Sequence, residues 1–443
     1  MSAGLETLTA QDAARLIREG RLTSVNLVKA CLARIAETDG AIHAWAHLDG
    51  EAALAQAAAL DEIRRTGRPM GALHGVPVGV KDIFDTRDMP TEYGTTLHAG
   101  RTPGRDATAV ALLRQAGAVI LGKTVTTELA VYAPGKTSNP HDPQRTPGGS
   151  SSGSAAAVAA EMVPLALGTQ TNGSVIRPAS YCGVYGYKPS FGLISRHRVL
   201  QQSRLLDQVG VFARSLEDLA LCAEPLMGFD ATDPDLRPRM RPALSAIQVQ
   251  EPPVPPRLAF VRTPVWDQAD SDVREAFAEL VARLGERVDE VQLPAAFDGA
   301  VDWHRTIMET DLAVSFARDY ERGRESLSQT LCEMIERGRA YRAVDYKQAV
   351  AQIQLLVAEL AAIFAEYDAI LTPAASGEAP LGKASTGSPV FCTLWTLCGV
   401  PALTLPILQG SSGMPLGAQL VAGRLDDARL LRTARWLLQR LPV

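Results

Sequence analysis

Apolar positions along the chain follow two rhythms. Over residues 1–65, and again over 271–291 and 311–367, they recur every three to four places, which predicts helices. Elsewhere they gather in short runs bounded by Gly and Pro, which predicts strands. Thr9 stands where it would cap a helix through Leu16 and Ile17, and Ser24 a second whose stripe is Leu27, Val28, Cys31, Leu32 and Ile35. An alanine-rich run over 51–65 predicts a third helix. Strands are expected at 76–80, 118–121 and 163–167, then at 369–373, 400–406 and 417–421, before a last helix over 427–440. Strands alternating with helical runs indicate an α/β core in which the late strands complete a sheet begun before residue 200.

The same pattern divides the chain. Residues 1–65 read as N-terminal packing helices, and 66–240 as a core that is richest in small residues between Thr146 and Pro189. Glu251 to Pro256 (EPPVPP) is the strongest linker signal, stiff and poor in backbone donors, within a linker or loop over 241–260. A mainly helical insertion over 261–368 then precedes the strands and helix of 369–443.

Composition narrows the function. The 443 residues carry 44 basic and 49 acidic side chains, a formal net charge of −5, with no dense Lys/Arg block. Binding to nucleic acid by counterion release needs a basic surface that this composition lacks, so no nucleic-acid partner is expected. The N-terminal MSAGLETLTAQD has neither a basic flank nor an apolar stretch of signal-peptide length, and no 18 uncharged apolar residues run together. A cytoplasmic protein with no membrane span is expected. Cys31, Cys182, Cys222, Cys332, Cys392 and Cys398 lie far apart, which fits buried reduced thiols and neither a disulfide framework nor a zinc site.

Two short motifs fail on context. Gly117 to Thr124 (GAVILGKT) satisfies the phosphate-loop pattern. Its four middle residues are apolar and read as a strand, while 108–116 is helical in pattern with Gly117 as its stop. A phosphate loop needs the reverse order of strand, flexible turn and helix. Gly149 to Gly153 (GSSSG) satisfies the nucleophile-elbow pattern with Ser151 at its centre. That reading needs a downstream acid and histidine, yet His197 and His304 stand in no loop signature and no HGGG-type segment precedes the elbow.

A longer constellation carries chemistry. Pro147-Gly148-Gly149-Ser150-Ser151-Ser152-Gly153-Ser154 runs into the alanines of 155–160, which delivers hydroxyls to the partly positive start of a helix. Farther on, LALGTQT over 165–171 leads into Asn172-Gly173-Ser174-Val175-Ile176-Arg177-Pro178, a strand, a tight turn and a helix start. Backbone N–H groups of 171–174 can converge there on one oxygen. Upstream, Lys81 ends an apolar strand. A lysine in that position is costly unless neutral or paired. Burial would free its amine to act as a base, whereas pairing with Asp82 or Asp85 would make it an ordinary ion pair. The residues alone leave both readings open.

At these residues the chain resembles the amidase signature family of serine hydrolases, over roughly Leu8 to Val421 and most sharply at 75–81 and 146–188. GGSSSGSAAAVAA followed by GTQTNGSVIRPASYCG, with Ser174 24 positions beyond Ser150, is a long and specific pattern. The resemblance implies a single α/β/α domain over 1–443, its central mixed sheet covered by helices on both faces. It implies a triad of Ser174 as nucleophile, Ser150 as bridging serine on a cis peptide after Gly149, and Lys81 as base, with no metal and no cofactor. The oxyanion would rest on the N–H groups of Thr171, Asn172, Gly173 and Ser174.

Departures from the family pattern bear on the substrate. Family members commonly carry Gly-Gly-Ser where this chain has Asn172-Gly173-Ser174. Asn tolerates positive φ, which would preserve the hole, and its side chain has the reach to narrow the pocket or touch substrate. Arg177 is placed as in malonamidase-like members, where it would clamp a substrate carboxylate, and equally as a buried structural arginine at a helix start. Tyr132, Gly149, Phe391 and Trp395 complete the candidate pocket, although aromatic residues at such spacing also suit plain core. The segment 385–396 resembles that of small-amide and allophanate-type amidases and offers no carboxylate for the α-amino group of glutamine. The expected substrate is therefore a small amide or carbamate, with aryl esters as a further class, acted on by a monomer or homodimer. The alternatives are the glutaminase subunit of a tRNA-dependent amidotransferase and a binding module without turnover.

Overall fold

The computed structural model describes residues 4–441 and carries one mixed sheet of eleven strands. In chain order these are β1 (Trp45–Leu48), β2 (Pro77–Lys81), β3 (Val119–Thr124), β4 (Leu165–Gln170), β5 (Tyr185–Lys188) and β6 (Gln208–Ala213). They continue as β7 (Leu258–Val261), β8 (Val288–Val291), β9 (Ala369–Pro373), β10 (Ala402–Gln409) and β11 (Pro415–Val421). Across the sheet the order is β1-β3-β2-β4-β6-β5-β10-β11-β9-β7-β8. β3-β2-β4 and β9-β7-β8 are parallel trios joined by antiparallel neighbours. β10 runs beside β5, Leu403 opposite Tyr187, so the late strands complete a sheet begun before residue 200.

Side-chain alternation shows that helices cover both faces of the sheet. Along β3, Val119 and Leu121 join one hydrophobic cluster with the helices Ser24–Ile42, Gly50–Arg65 and Ser152–Ala159. Ile120 joins the other cluster, with the helices Thr108–Gln115 and Leu216–Leu226. β4 repeats the pattern, Ala166 entering the first cluster while Leu165 and Leu167 enter the second. A period of two along both strands requires this division.

Several local expectations need correction. Thr9 caps the helix Ala10–Arg18 by accepting from the Asp12 amide, but the next cap is Thr23, not Ser24, with its hydroxyl accepting from the Asn26 amide. β1 lies inside the segment read as helical, β7 begins in the stretch read as linker, and β8 occupies the end of the helical 271–291. Each is only four residues long, and β7 finds its partner in β9, Leu258 against Ala369, a pairing that local periodicity does not register. Residues 251–256 carry no helix or strand. Gly117, at φ +87°, follows the helix Thr108–Gln115, and the residues after it form β3. The phosphate-loop pattern is therefore a helix stop and a strand.

The small residues of 146–189 permit one close contact. The helix Ser152–Ala159 sits directly on β3 and β4, with Ala155, Ala156 and Ala157 fully buried. Ser154 Oγ donates to the Leu167 carbonyl at 2.8 Å and shares a 2.7 Å hydrogen bond with Thr124 Oγ1. A Cβ on Gly153 would collide with the Ala44 carbonyl oxygen and the Val125 amide nitrogen. Gly153→Ala is therefore expected to cost about 1–3 kcal/mol of stability, read as a lower midpoint in a thermal melt. An unchanged midpoint would contradict this packing.

Candidate active site

Lys81 is the last residue of β2 and is 0% exposed. Its Nζ lies 2.7 Å from Ser150 Oγ and 2.9 Å from Thr169 Oγ1 on the neighbouring β4. The two carboxylates that would have made it an ion pair are engaged elsewhere. Asp82 binds Lys123 at 2.9 Å and Asp85 binds Arg101 at 2.8 Å. Among the described residues no carboxylate lies within 4.0 Å of Lys81 Nζ, and burial holds the amine well below its ordinary pKa, opposed only by the more remote charge of Asp207. The result is an amine whose charged form burial disfavours, hydrogen-bonded to two hydroxyls.

Ser150 enters from the Gly/Ser block, and the Gly149–Ser150 peptide is cis. Its neighbours have different work. Ser151 is 0% exposed, and its Oγ donates to the Thr169 carbonyl and accepts from the Thr169 amide, both at 3.3 Å. Ser152 Oγ donates to the Val125 carbonyl at 3.3 Å. Ser151 therefore ties the helix to β4 and is no elbow nucleophile. A Cβ on Gly149 would press on Thr127 Cγ2 and Thr386 Cγ2, at 2.9 and 2.8 Å, which accounts for glycine there.

Ser174 follows β4 at the turn before the helix Ile176–Cys182 and is 7% exposed. Among the described residues its hydroxyl has no hydrogen-bond partner, and the amides of Thr171, Asn172, Gly173 and Ser174 donate to no protein group. The carbonyls between them are all taken. Thr171 O accepts from His304 Nε2 at 2.9 Å, Asn172 O from Thr396 Oγ1 at 2.6 Å, and Gly173 O from the Arg177 amide at 3.0 Å. Gln170 braces the turn as well, its Oε1 accepting from the Val175 and Ile176 amides at 2.8 and 3.0 Å. The arrangement offers four uncommitted N–H donors beside an uncommitted hydroxyl, the requirement for stabilising an oxyanion.

The remaining candidates separate. Tyr132 and Asn172 line a cavity of about 410 Å³ together with His304, Met308, Pro389 and Thr393. Asn172 Nδ2 donates to Tyr132 Oη at 2.9 Å and its Oδ1 accepts from Thr393 Oγ1 at 2.7 Å, so the side chain is anchored. Asn172 is not at positive φ, so its tolerance of that conformation is not called upon. Arg177 is 0% exposed and donates to the Gly149 and Gly387 carbonyls, each at 2.6 Å, and to Thr386 Oγ1 at 3.2 Å. It clamps the serine loop to 386–387, the structural alternative, rather than facing the cavity residues. Phe391 and Trp395 are not a pocket wall: at 1% and 0% exposure they belong to the core of the helix Val390–Leu397, which turns Thr393 and Thr396 toward the site.

Sequence reasoning missed Thr169, Gln170, Asp207, His304, Thr393 and Thr396. Asp207 is buried, its carboxyl raised to about 6 by burial against hydrogen bonds from Thr171 and from the Gln202 and Ser203 amides. Gln170 and Thr169 lay inside the quoted LALGTQT. Thr393 and Thr396 lay inside the segment 385–396, whereas Asp207 and His304 stand apart in sequence with no local signal to mark them.

Comparison with known proteins identifies the family. The chain matches the Amidase family over residues 26–431. It is 34% identical over 473 positions to a glutamyl-tRNA(Gln) amidotransferase subunit of Chloroflexus aggregans, covering 97% of this chain and 95% of that one. Among solved structures, the peptide amidase of Stenotrophomonas maltophilia superposes with a TM-score of 0.85 at 29% identity, covering 98% and 97% of the two chains. A 6-aminohexanoate cyclic dimer hydrolase complexed with substrate superposes with a TM-score of 0.88 at 26% identity, covering 100% and 98%. On this match the chain belongs to the amidase family.

Proposed function

We propose that this amidase-family enzyme is a free-standing hydrolase of small amides or carbamates, and of aryl esters, working through an acyl-enzyme on Ser174. The observation that carries the reading is the buried, carboxylate-free Lys81 at 2.7 Å from Ser150 Oγ. Lys81 takes the Ser150 proton while Ser150 takes that of Ser174, whose oxygen attacks the substrate carbonyl carbon. The developing oxyanion rests on the free N–H groups of 171–174. Ser150 then returns a proton to the leaving nitrogen and the C–N bond breaks. Water repeats the relay, releasing the acid and restoring Ser174. The relay uses no metal or cofactor.

The segment 385–396 supports a small amide over glutamine, because it offers no carboxylate for an α-ammonium group. Of the two carboxylates that line the cavity, Glu309 is held by Arg337 at 2.7 Å and Glu333 is exposed. The enzyme then acts in the cytoplasm as a monomer or homodimer without nucleic acid, a setting that suits six buried, unpaired cysteines. One observation favours a second reading, the glutaminase subunit of a tRNA-dependent amidotransferase: the 34% identity to such a protein spans nearly the whole chain. Purified alone and offered primary amides, anilides, carbamates, aryl esters and glutamine, the protein should turn over the small amides or carbamates and leave glutamine intact. Turnover of glutamine, or activity only after partner subunits are added, would favour the second reading.

Lys81→Ala and Ser174→Ala should each lower kcat/KM by about 10⁴ or more, and Ser150→Ala by roughly 10² to 10⁴, the range for one proton-relay group. The acid limb of the pH profile should follow the lowered Lys81 pKa, because only the unprotonated amine is a base. kcat/KM would then rise with pH through that value and level off well below the ordinary lysine range. Full activity in Lys81→Ala, or a profile still rising at the ordinary lysine pKa, would refute the relay.

A further inference from the structure

We propose that His304 is a positioning residue for the oxyanion hole, fixing the orientation of the Thr171–Asn172 peptide from the far side. The proposal rests on the acyl-enzyme reading above. In a trans peptide the carbonyl and the following N–H point in opposite directions across one rigid plane, so whatever grips the carbonyl also aims the N–H. The peptides between Thr171 and Ser174 are trans, Gly149–Ser150 being the cis bond among the described residues. The Gly173 carbonyl is gripped by the first turn of its own helix through the Arg177 amide. The other two planes depend on side chains brought from elsewhere: Thr396 Oγ1 holds the Asn172 carbonyl and His304 Nε2 holds that of Thr171.

The contact also fixes the state of the ring. A carbonyl only accepts, so Nε2 carries the hydrogen. Burial lowers the His304 pKa to about 4, and the imidazole is therefore a neutral donor at neutral pH. His304 takes no part in the proton relay. It stands on the helix Ala300–Ser315 and lines the cavity shared with Asn172, so the helix that borders the cavity also braces the loop that would bind the oxyanion. Without this donor the Thr171–Asn172 plane is free to turn, swinging a carbonyl toward the oxyanion and its N–H away.

Three variants test this. His304→Phe fills the space without a donor, His304→Gln restores an N–H at similar reach, and His304→Asn, too short to reach, replaces Phe if that variant does not fold. Wild type and variants are treated with a fluorophosphonate, the adduct is mapped by peptide mass spectrometry, and steady-state kinetics are measured on the best amide or ester substrate. The donorless variant should lose roughly 10–100-fold in kcat with KM changed less than about threefold, and His304→Gln should regain most of the loss. Ser174 should be labelled in all of them, more slowly in the donorless variant. A wild-type kcat in the donorless variant, a loss confined to KM, or no rescue by Gln overturns the role of His304 while Ser174 labelling leaves the acyl-enzyme reading standing. Absence of a Ser174 adduct in the wild type overturns the acyl-enzyme reading and the His304 role with it.

Discussion

An amine buried without a counter-charge is the constraint around which this site is organised. Two lysines on adjacent parallel strands make the comparison. In the β2–β3 register Val80 lies opposite Lys123, so Lys123 shares the face of Val80 while Lys81, one residue on, projects to the other. Both are fully buried and both are depressed by burial. Lys123 meets Asp82 and remains half of an ion pair, whereas Lys81 meets the hydroxyls of Ser150 and Thr169. One register step thus separates a lysine paired with a carboxylate from one that meets only hydroxyls. The close seating of the Ser152–Ala159 helix on the sheet is what brings Ser150 within reach.

The Gly/Ser block does two jobs with one residue type. Ser151, Ser152 and Ser154 spend their hydroxyls on backbone carbonyls of β4 and of the residue after β3, which locks the helix down. Ser150 spends its hydroxyl on Lys81. This is why the elbow pattern centred on Ser151 misleads: the same letters describe a structural staple when a strand lies directly beneath. Arg177 adds to the bracing, joining the Gly149 carbonyl to that of Gly387, so the peptide before Ser150 is held from the loop opposite.

Much of this was legible in the chain. The strands that position the site, β2, β3 and β4, lie where apolar runs predict them, though β3 and β4 continue to Thr124 and Gln170, beyond the expected ends at 121 and 167, and the signature segments are long enough to identify the family and to point to Lys81, Ser150 and Ser174. What escaped was set by distant partners. β1, β7 and β8 are short strands whose existence depends on a neighbour rather than on their own pattern. Phe391 and Trp395 were read as pocket wall because aromatic residues near a site are ambiguous, and only packing shows that their helix turns its threonines to the loop instead. The Asn172 side chain, open to several readings alone, is settled by Tyr132 and Thr393. His304 carries no sequence signal at all, since its partner lies 133 residues away.

The protonation state of Lys81 tests the account most directly. With lysines labelled at Cε with ¹³C and Lys81 assigned through Lys81→Met, its NMR signal should titrate with a midpoint well below 10.5. A midpoint at or above 10.5 would mean a permanently charged ammonium group, and the hydroxyl relay would have no base.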